Sequence, residues 1–256
     1  MFTRAILRKP AENFANGSTT AAIGRPDYQK TLCQHEVYCS ALRACDLDLT
    51  VLAADMRYPD STFVEDTAIL TRESAIITNP GADSRVGEVK EIHEALSRFF
   101  SRIHRITPPG TLDGGDICEA DGHFFIGISE RTNEEGGRQL AGFLSHEGYG
   151  STFIDIRDIP GILHLKSGIS YIGDNNMVLI EVFFDEGSLQ HYNCIHVTED
   201  ENYAANCIRV NDCVLLPAGY PRIREAIEGL GYPVSLLDMS EFQKMDGGLS
   251  CLSLRF

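Results

Sequence analysis

One pattern recurs along the 256 residues: a strand-like run, a polar bend, a hairpin, a helix and a closing strand, about five times over. The copies share little sequence identity, but internal repeats of this size point to a radial or stacked architecture. If five units surround one axis, their polar bends all face the centre. That places Glu65 and Asp66, Asp113 and Asp116, His164 and Lys166, Asn206 and Cys207, and Ser250 and Cys251 around a single well.

In one unit, the run from Tyr58 to Leu70 reads as strand leading into a hairpin, Ala68–Leu70 with Ala75–Thr78. It nevertheless carries Asp60, Glu65 and Asp66. Aspartate is poorly suited to strand interiors, and such breaks of local rule tend to mark sites. The alternative is a polar strand end facing water. Arg85 falls in a Gly/Ser loop, and Val89, Ile92, Leu96 and Phe99 form the stripe of a helix over 87–100. In the next unit Thr111–Asp116 is the bend, and Thr132 with Glu135 reads as a capping box opening a helix to about His146. A strand over 151–156 closes it. A third unit runs from Ile162–Gly168 through a hairpin (169–172 and 177–182) to a short helix near 185–191. A fourth runs from Tyr203–Cys207 through a hairpin (208–210 and 213–216) to a helix over 221–230, opened by Pro221 and stopped by Gly231. The fifth needs both ends of the chain. Its terminal strand after Cys251 joins the strand Ala5–Leu7, a helix over 27–44 capped by Asp27, and a strand over 47–52.

Thirty-seven acids against 22 Lys and Arg give a net charge of −15. Nucleic-acid binding needs a basic footprint, so that class is disfavoured. An acidic surface suits a cationic ligand, although solubility explains it equally well. No apolar run approaches bilayer length, and the first residues lack a secretory stretch, so a soluble, cytoplasmic protein is expected with no membrane contact. The eight cysteines form no C-x-x-C pair and are expected to be free thiols. With scattered histidines, no metal site is expected.

The best nucleophile candidate lies in the last ten residues. Gly247-Gly248 makes a bend, Ser250-Cys251 follows, and Leu252, Leu254 and Phe256 alternate as a short terminal strand. A thiol at the mouth of a strand, just past such a bend, is held rigidly and stays reachable. Taken alone it reads as an ordinary buried cysteine. The histidine, carboxylates and arginines at comparable strand tips favour a catalytic thiol. The loop Asn16–Thr20 reads as either a lid or a plain surface loop.

Phe63-Val64-Glu65-Asp66, Leu112-Asp113-Gly114-Gly115-Asp116, Arg131-Thr132-Asn133, Leu163-His164-Leu165-Lys166, Tyr203–Cys207 and the ending from Asp246 to Phe256 carry a resemblance. Together they resemble the dimethylarginine dimethylaminohydrolase family, within the guanidine-modifying (amidinotransferase) superfamily. The resemblance spans nearly the whole chain. It implies a single domain over 1–256 with an α/β fold, a five-bladed propeller of ββαβ-type repeats with pseudo-five-fold symmetry. It also implies hydrolysis of methylated L-arginine to L-citrulline and a methylamine, no cofactor, and a homodimer. Carried over by position, Cys251 is the nucleophile, His164 the general acid/base, and Asp113, where some relatives have Glu, orients His164. Asp66 with Glu65 holds the guanidinium and Phe63 packs against it. Asp60 binds the α-amino group, Arg85 and Arg131 clamp the α-carboxylate, and Ser18, Met245 and Ser250 complete the pocket. Arginine deiminases carry a second aspartate two residues after the histidine. Here Lys166 stands there, which leaves room for N-methyl groups.

The residue types suit that chemistry. A guanidinium carbon is a poor electrophile, for which a thiolate is a better match than water. The leaving amine needs a proton, and imidazole suits both that donation and later activation of water. Lys166 is a candidate ion-pair partner for a site acid. Two other readings remain: a deiminase of arginine or another guanidino compound, and a catalytically silent arginine-binding protein.

Overall fold

The computed structural model describes residues 1–256. Five three-stranded sheets form the blades of a propeller. Three blades are β3 (Ala68–Leu70), β4 (Ala75–Ile77) and β5 (Ile103–Arg105); β6 (Ile117–Ala120), β7 (His123–Ile128) and β8 (Gly150–Asp155); and β9 (Ile169–Gly173), β10 (Asn176–Ile180) and β11 (Asn193–Val197). A fourth is β12 (Ile208–Val210), β13 (Cys213–Pro217) and β14 (Val234–Leu237). The fifth closes the ring from both ends of the chain: β15 (Leu254–Arg255) pairs antiparallel with β1 (Arg4–Arg8), which pairs parallel with β2 (Asp48–Leu52).

Every blade follows one rule: an antiparallel inner pair, then a parallel outer strand reached by a crossover. The crossovers need this length because a parallel strand cannot follow a tight turn. They contain α1 (Tyr28–Ala44), α2 (Val89–Leu96), α3 (Glu134–His146) and α4 (Pro221–Gly229); the β10–β11 crossover has only 3₁₀ turns, Glu181–Phe183 and Gly187–Leu189. A further short helix, α5 (Ser240–Gln243), precedes the last bend. Asp121 with Gly122, and Asp174 with Asn175, take positive φ in the two-residue turns of their hairpins, the geometry whose twist matches the flanking strands.

Several boundaries differ from the sequence reading, each for a local reason. The stretch before β3 is a 3₁₀ turn, Val64–Thr67, not strand. The helix over 87–100 is shorter because 3₁₀ turns from Asp83 to Glu88 precede it, and Arg85 sits buried there rather than in an open loop. Asn133, not Thr132, caps α3 by accepting from Gly136 N, and Thr132 Oγ1 donates to Asp116 instead. Asp27 caps α1 as expected, accepting from Lys30 N. All eight cysteines are free. No helix is long and apolar enough to cross a membrane.

The apolar core lies off the axis, between blades and outer helices. One cluster packs Phe125, Ile154, Leu165 and Val178; another packs Leu7, Phe14, Tyr38 and Leu42. Each such large side chain contributes about 1.5–3 kcal/mol by leaving water. The second cluster also fixes the C-terminal segment: Tyr38 donates to Leu249 O at 2.9 Å and shares a 2.7 Å hydrogen bond with Ser253 Oγ. Helix α1 thereby holds both sides of Cys251. The axis is polar, and polar groups buried there need partners.

Candidate active site

Each blade delivers its polar bend as a 3₁₀ turn just before the inner strand: Val64–Thr67, Gly114–Asp116, Leu165–Ser167, Glu199–Ala205 and Ser250–Leu252. Neighbouring turns touch: the first meets the second and the last, the second meets the third, and the third meets the fourth. Gly115 permits the closest approach. A Cβ there would lie 2.8 Å from the His164 ring and 3.0 Å from Asp66 Oδ1. Its N–H instead donates to Asp66 Oδ1 at 2.8 Å.

His164 and Cys251 line the same pocket. Cys251 Sγ accepts from Gly248 N at 3.4 Å. His164 stands among three buried carboxylates. Nδ1 lies 3.3 Å from Asp116 Oδ2, close enough for an ion pair although not aligned as a hydrogen bond. Nε2 lies 3.9 Å from Asp66 Oδ1 and 4.0 Å from Asp113 Oδ2. Burial pushes the imidazole pKa down, but Asp116, Asp66 and Asp113 outweigh it and hold it up at about 9. Burial pushes the Cys251 thiol up to about 12, reinforced by the charges of Glu65 and Asp66 and opposed by Gly248 N–H and Lys166. Burial and the Asp66 charge raise Asp113 to about 6. Asp66 goes the other way, to about 2: burial opposes its ionisation, but Arg85 and His164 prevail.

Of the residues singled out from sequence, Cys251, His164, Asp113, Asp66, Asp60, Phe63, Arg85, Arg131, Ser18 and Met245 line this one pocket. Asp60 Oδ2 accepts from Ser18 N at 3.0 Å, while its buried Oδ1 has no partner in the chain. Phe63 packs edge to face against Phe14 and Phe242. The two arginines differ. Arg131 makes no ion pair within the chain, so its guanidinium is free to meet an anion. Arg85 is largely spent: it donates to Asp66 at 2.6 Å, to Glu88 at 2.8 Å and to Phe63 O at 2.9 Å. One Nη1 N–H remains.

Glu65 and Ser250 line the adjoining space that also holds His164 and Cys251. Glu65 Oε1 meets Lys166 Nζ at 2.5 Å and Oε2 accepts from Ser250 Oγ at 2.7 Å, so both carboxylate oxygens already have partners. Lys166 is thus the ion-pair partner of a site acid, as the sequence allowed. Asp113, to which the resemblance gives the orienting role, lies 4.0 Å from Nε2, while Asp116 is the nearer acid, 3.3 Å from Nδ1. Asp116 is itself fixed by Ser129 Oγ at 2.7 Å, Thr132 Oγ1 at 2.6 Å and Leu165 N at 3.1 Å. Asp113 Oδ1 accepts from Gly81 N at 2.8 Å. Sequence reasoning also missed Glu88, whose signal was its position three residues after Arg85, and Asp246 as an anchor for the Ser18 loop.

Donor atoms of Asp66, Asp113 and His164 lie within 4.8 Å of one another, a spacing that suits a metal ion as well as a flat organic cation. Asp66 is already bonded to Arg85 and Gly115 N, which leaves Asp113 and the imidazole less committed. The arrangement supplies a thiol, an imidazole held protonated, carboxylates for a cation, and separate acidic and basic groups farther out.

No family model matches the chain. It is 47% identical over 257 residues to N(G),N(G)-dimethylarginine dimethylaminohydrolase of Pseudomonas aeruginosa, with all of both chains covered. Among solved structures, a DDAH from Pseudomonas aeruginosa, a cysteine-to-serine mutant complexed with citrulline, superposes with a TM-score of 0.97 at 46% identity over 100% of each chain. A histidine-to-glycine dimethylarginine dimethylaminohydrolase, as its adduct with S-methyl-L-thiocitrulline, superposes with the same score, identity and coverage.

Proposed function

The chain belongs to the dimethylarginine dimethylaminohydrolase family, and from that premise we propose that it hydrolyses Nω-methylated L-arginine to L-citrulline. Asymmetric dimethylarginine gives dimethylamine and monomethylarginine gives methylamine, through a covalent cysteine S-alkylthiouronium. The whole chain, 1–256, acts as one catalytic domain. The observation that carries the reading is the meeting of one thiol, one imidazole and several buried carboxylates in a pocket that also holds Asp60 and Arg131.

The substrate's α-amino group meets the unpartnered Asp60 Oδ1, and its α-carboxylate meets Arg131 with the remaining Nη1 N–H of Arg85. The guanidinium lies against Asp66 and Asp113, near Phe63. In the resting site the thiol is neutral, because its pKa is pushed up to about 12. A unit cation about 4 Å away at an effective dielectric near 20 is worth roughly 4 kcal/mol, about three pKa units. Substrate binding therefore brings the thiol down toward the imidazole's range. As the thiol ionises its proton passes to solvent, since the imidazole already carries one, and the thiolate attacks the guanidinium carbon. His164, held protonated, gives its proton to the departing amine. The neutral imidazole then takes a proton from water as that water attacks the thiouronium.

Lys166 faces Glu65, so no second acid reaches the guanidinium from the histidine turn. This favours methylated arginine over arginine, and relative kcat/KM on asymmetric dimethylarginine, monomethylarginine and arginine separates the readings. The same reading carries a cytoplasmic location and a homodimer, the dimer tested by light scattering. The primary test is citrulline release from asymmetric dimethylarginine. Wild type forms citrulline and Cys251→Ser does not; equal release by both overturns the assignment.

A further inference from the structure

We propose that water reaches the covalent intermediate from the rear of the ring, through a partition made of Glu65, Lys166 and Ser250. The proposal rests on the reaction just described. A cavity of about 560 Å³ opens among the inner strands β3, β6, β9, β12 and β15, and its lining runs out to the exposed residues Glu119, Asp121 and Asp212. It shares none of its lining with the pocket that holds Asp60 and Arg131. Its inner end shares three residues, Glu65, Lys166 and Ser250, with the small space that contains His164 and Cys251.

The chemistry needs such a path. Once the thiouronium forms, the substrate's own chain fills the front pocket from Cys251 out to Asp60 and Arg131. The Ser18 loop covers that end, tied to Asp60 and, through Thr19 and Thr20, to Asp246. Water must still arrive beside the thiouronium carbon. There the C–O bond forms and the C–S bond breaks; one water proton goes to His164 and the other restores the thiol.

The partition is built for passing hydrogen bonds. It consists of an ammonium, a carboxylate and a hydroxyl, with Asn206 Nδ2 donating to Ser250 Oγ at 3.0 Å and to Lys166 O at 2.8 Å. An apolar plug would tie the three blades together equally well and cost less desolvation. Lys166 sits on a flexible four-carbon stem whose head adjoins the rear cavity, so its ammonium donors not used by Glu65 can meet incoming water while the ion pair stands.

The test separates the two half-reactions by rapid quench on the full chain with asymmetric dimethylarginine, following dimethylamine, citrulline and the mass of the Cys251 adduct. Two kinds of variant are compared. Leu70→Trp fills the rear cavity from its wall, and Glu65→Gln with Lys166→Met makes the partition uncharged. For Leu70→Trp the expected result is a dimethylamine burst at the wild-type rate, followed by citrulline formation slowed about tenfold or more with the adduct accumulating. The uncharged partition also removes two charges that act on Cys251, so there citrulline formation is expected to slow more than the burst. Unchanged citrulline formation in a folded Leu70→Trp protein overturns the proposal, as does equal slowing of both phases in both variants. A wild-type protein that forms no adduct and no citrulline overturns the reaction itself.

Discussion

Asp116 Oδ2 lies 3.3 Å from His164 Nδ1, on the side of the ring opposite Asp66 and Asp113. Asp116 is fully buried and held by three donors, so its charge has a fixed position. An acid in that place sets which imidazole nitrogen keeps a proton and stabilises the protonated ring. Asp116→Asn is expected to lower kcat roughly a hundredfold or more with little change in KM, and to move the alkaline fall of kcat to lower pH. Asp113→Asn, acting on the cation, is expected to change KM more. Citrulline kinetics across pH check both, and an Asp116→Asn profile that overlays wild type would sink the assignment.

The two pocket arginines are expected to separate by stability. Removing Arg85 leaves Asp66 and Glu88 buried together without their cation, and burial already pushes Glu88 up to about 7 despite Arg85. Breaking a buried pair of this kind costs about 3–5 kcal/mol. Arg85→Ala should therefore lower Tm by roughly 10 °C, given about 2–4 °C per kcal/mol at this size. Arg131 has no such partners, so Arg131→Ala should keep Tm and raise KM about tenfold or more. Thermal melts beside kinetics decide; matching Tm losses would contradict the division.

The hairpins were legible because their apolar runs are bounded by turn residues, as at Ile208–Val210 and Cys213–Pro217. The outer strands β5, β11 and β14 were not, since each is short and mostly half-buried, with little alternation to read. The bends before β3, β6 and β9 are 3₁₀ turns of three or four residues, too short to carry a period. The site could be gathered from sequence because the repeat puts every bend on one axis. Roles within it were harder. Leu112–Asp116 holds two acids three apart, and nothing in the letters tells which one meets the Nδ1 side of the histidine. Glu65 and Asp66 are adjacent, yet one turns to Lys166 and the other to Arg85.

Two pH dependences follow with opposite readouts. The Cys251 pKa of about 12 makes the thiol neutral near pH 7. Alkylation of Cys251 by iodoacetamide in the free protein should keep rising up to pH 9 without a plateau, and a bound, uncleaved arginine analogue should shift the curve to lower pH. His164 is raised from 6.5 to about 9, so its protonated form contributes stability fully below pH 6.5 and loses it as pH climbs through 9. The Tm difference between wild type and His164→Gln should accordingly shrink from pH 6 to pH 9.5. A thiol already ionised below neutrality would remove the substrate-driven activation step.

Asp246 takes a left-handed backbone, φ 57°, in which its carboxylate faces the Ser18 loop. Oδ2 accepts from Thr20 N at 2.5 Å, Thr20 Oγ1 at 3.1 Å and Thr19 Oγ1 at 3.2 Å. These contacts are exposed, so together they are worth about 1 kcal/mol, or roughly fivefold in an equilibrium. The backbone and the carboxylate can be separated, because glycine adopts that φ freely and alanine does not. Asp246→Gly should release the loop without straining the turn, raising KM about fivefold and exposing residues 17–26 to limited proteolysis. Asp246→Asn keeps an oxygen acceptor and tolerates the left-handed region, so it should fall between wild type and Asp246→Gly. Wild-type KM and protease resistance in Asp246→Gly would mean the loop is held by Asp60 and its own packing, with no latch at Asp246.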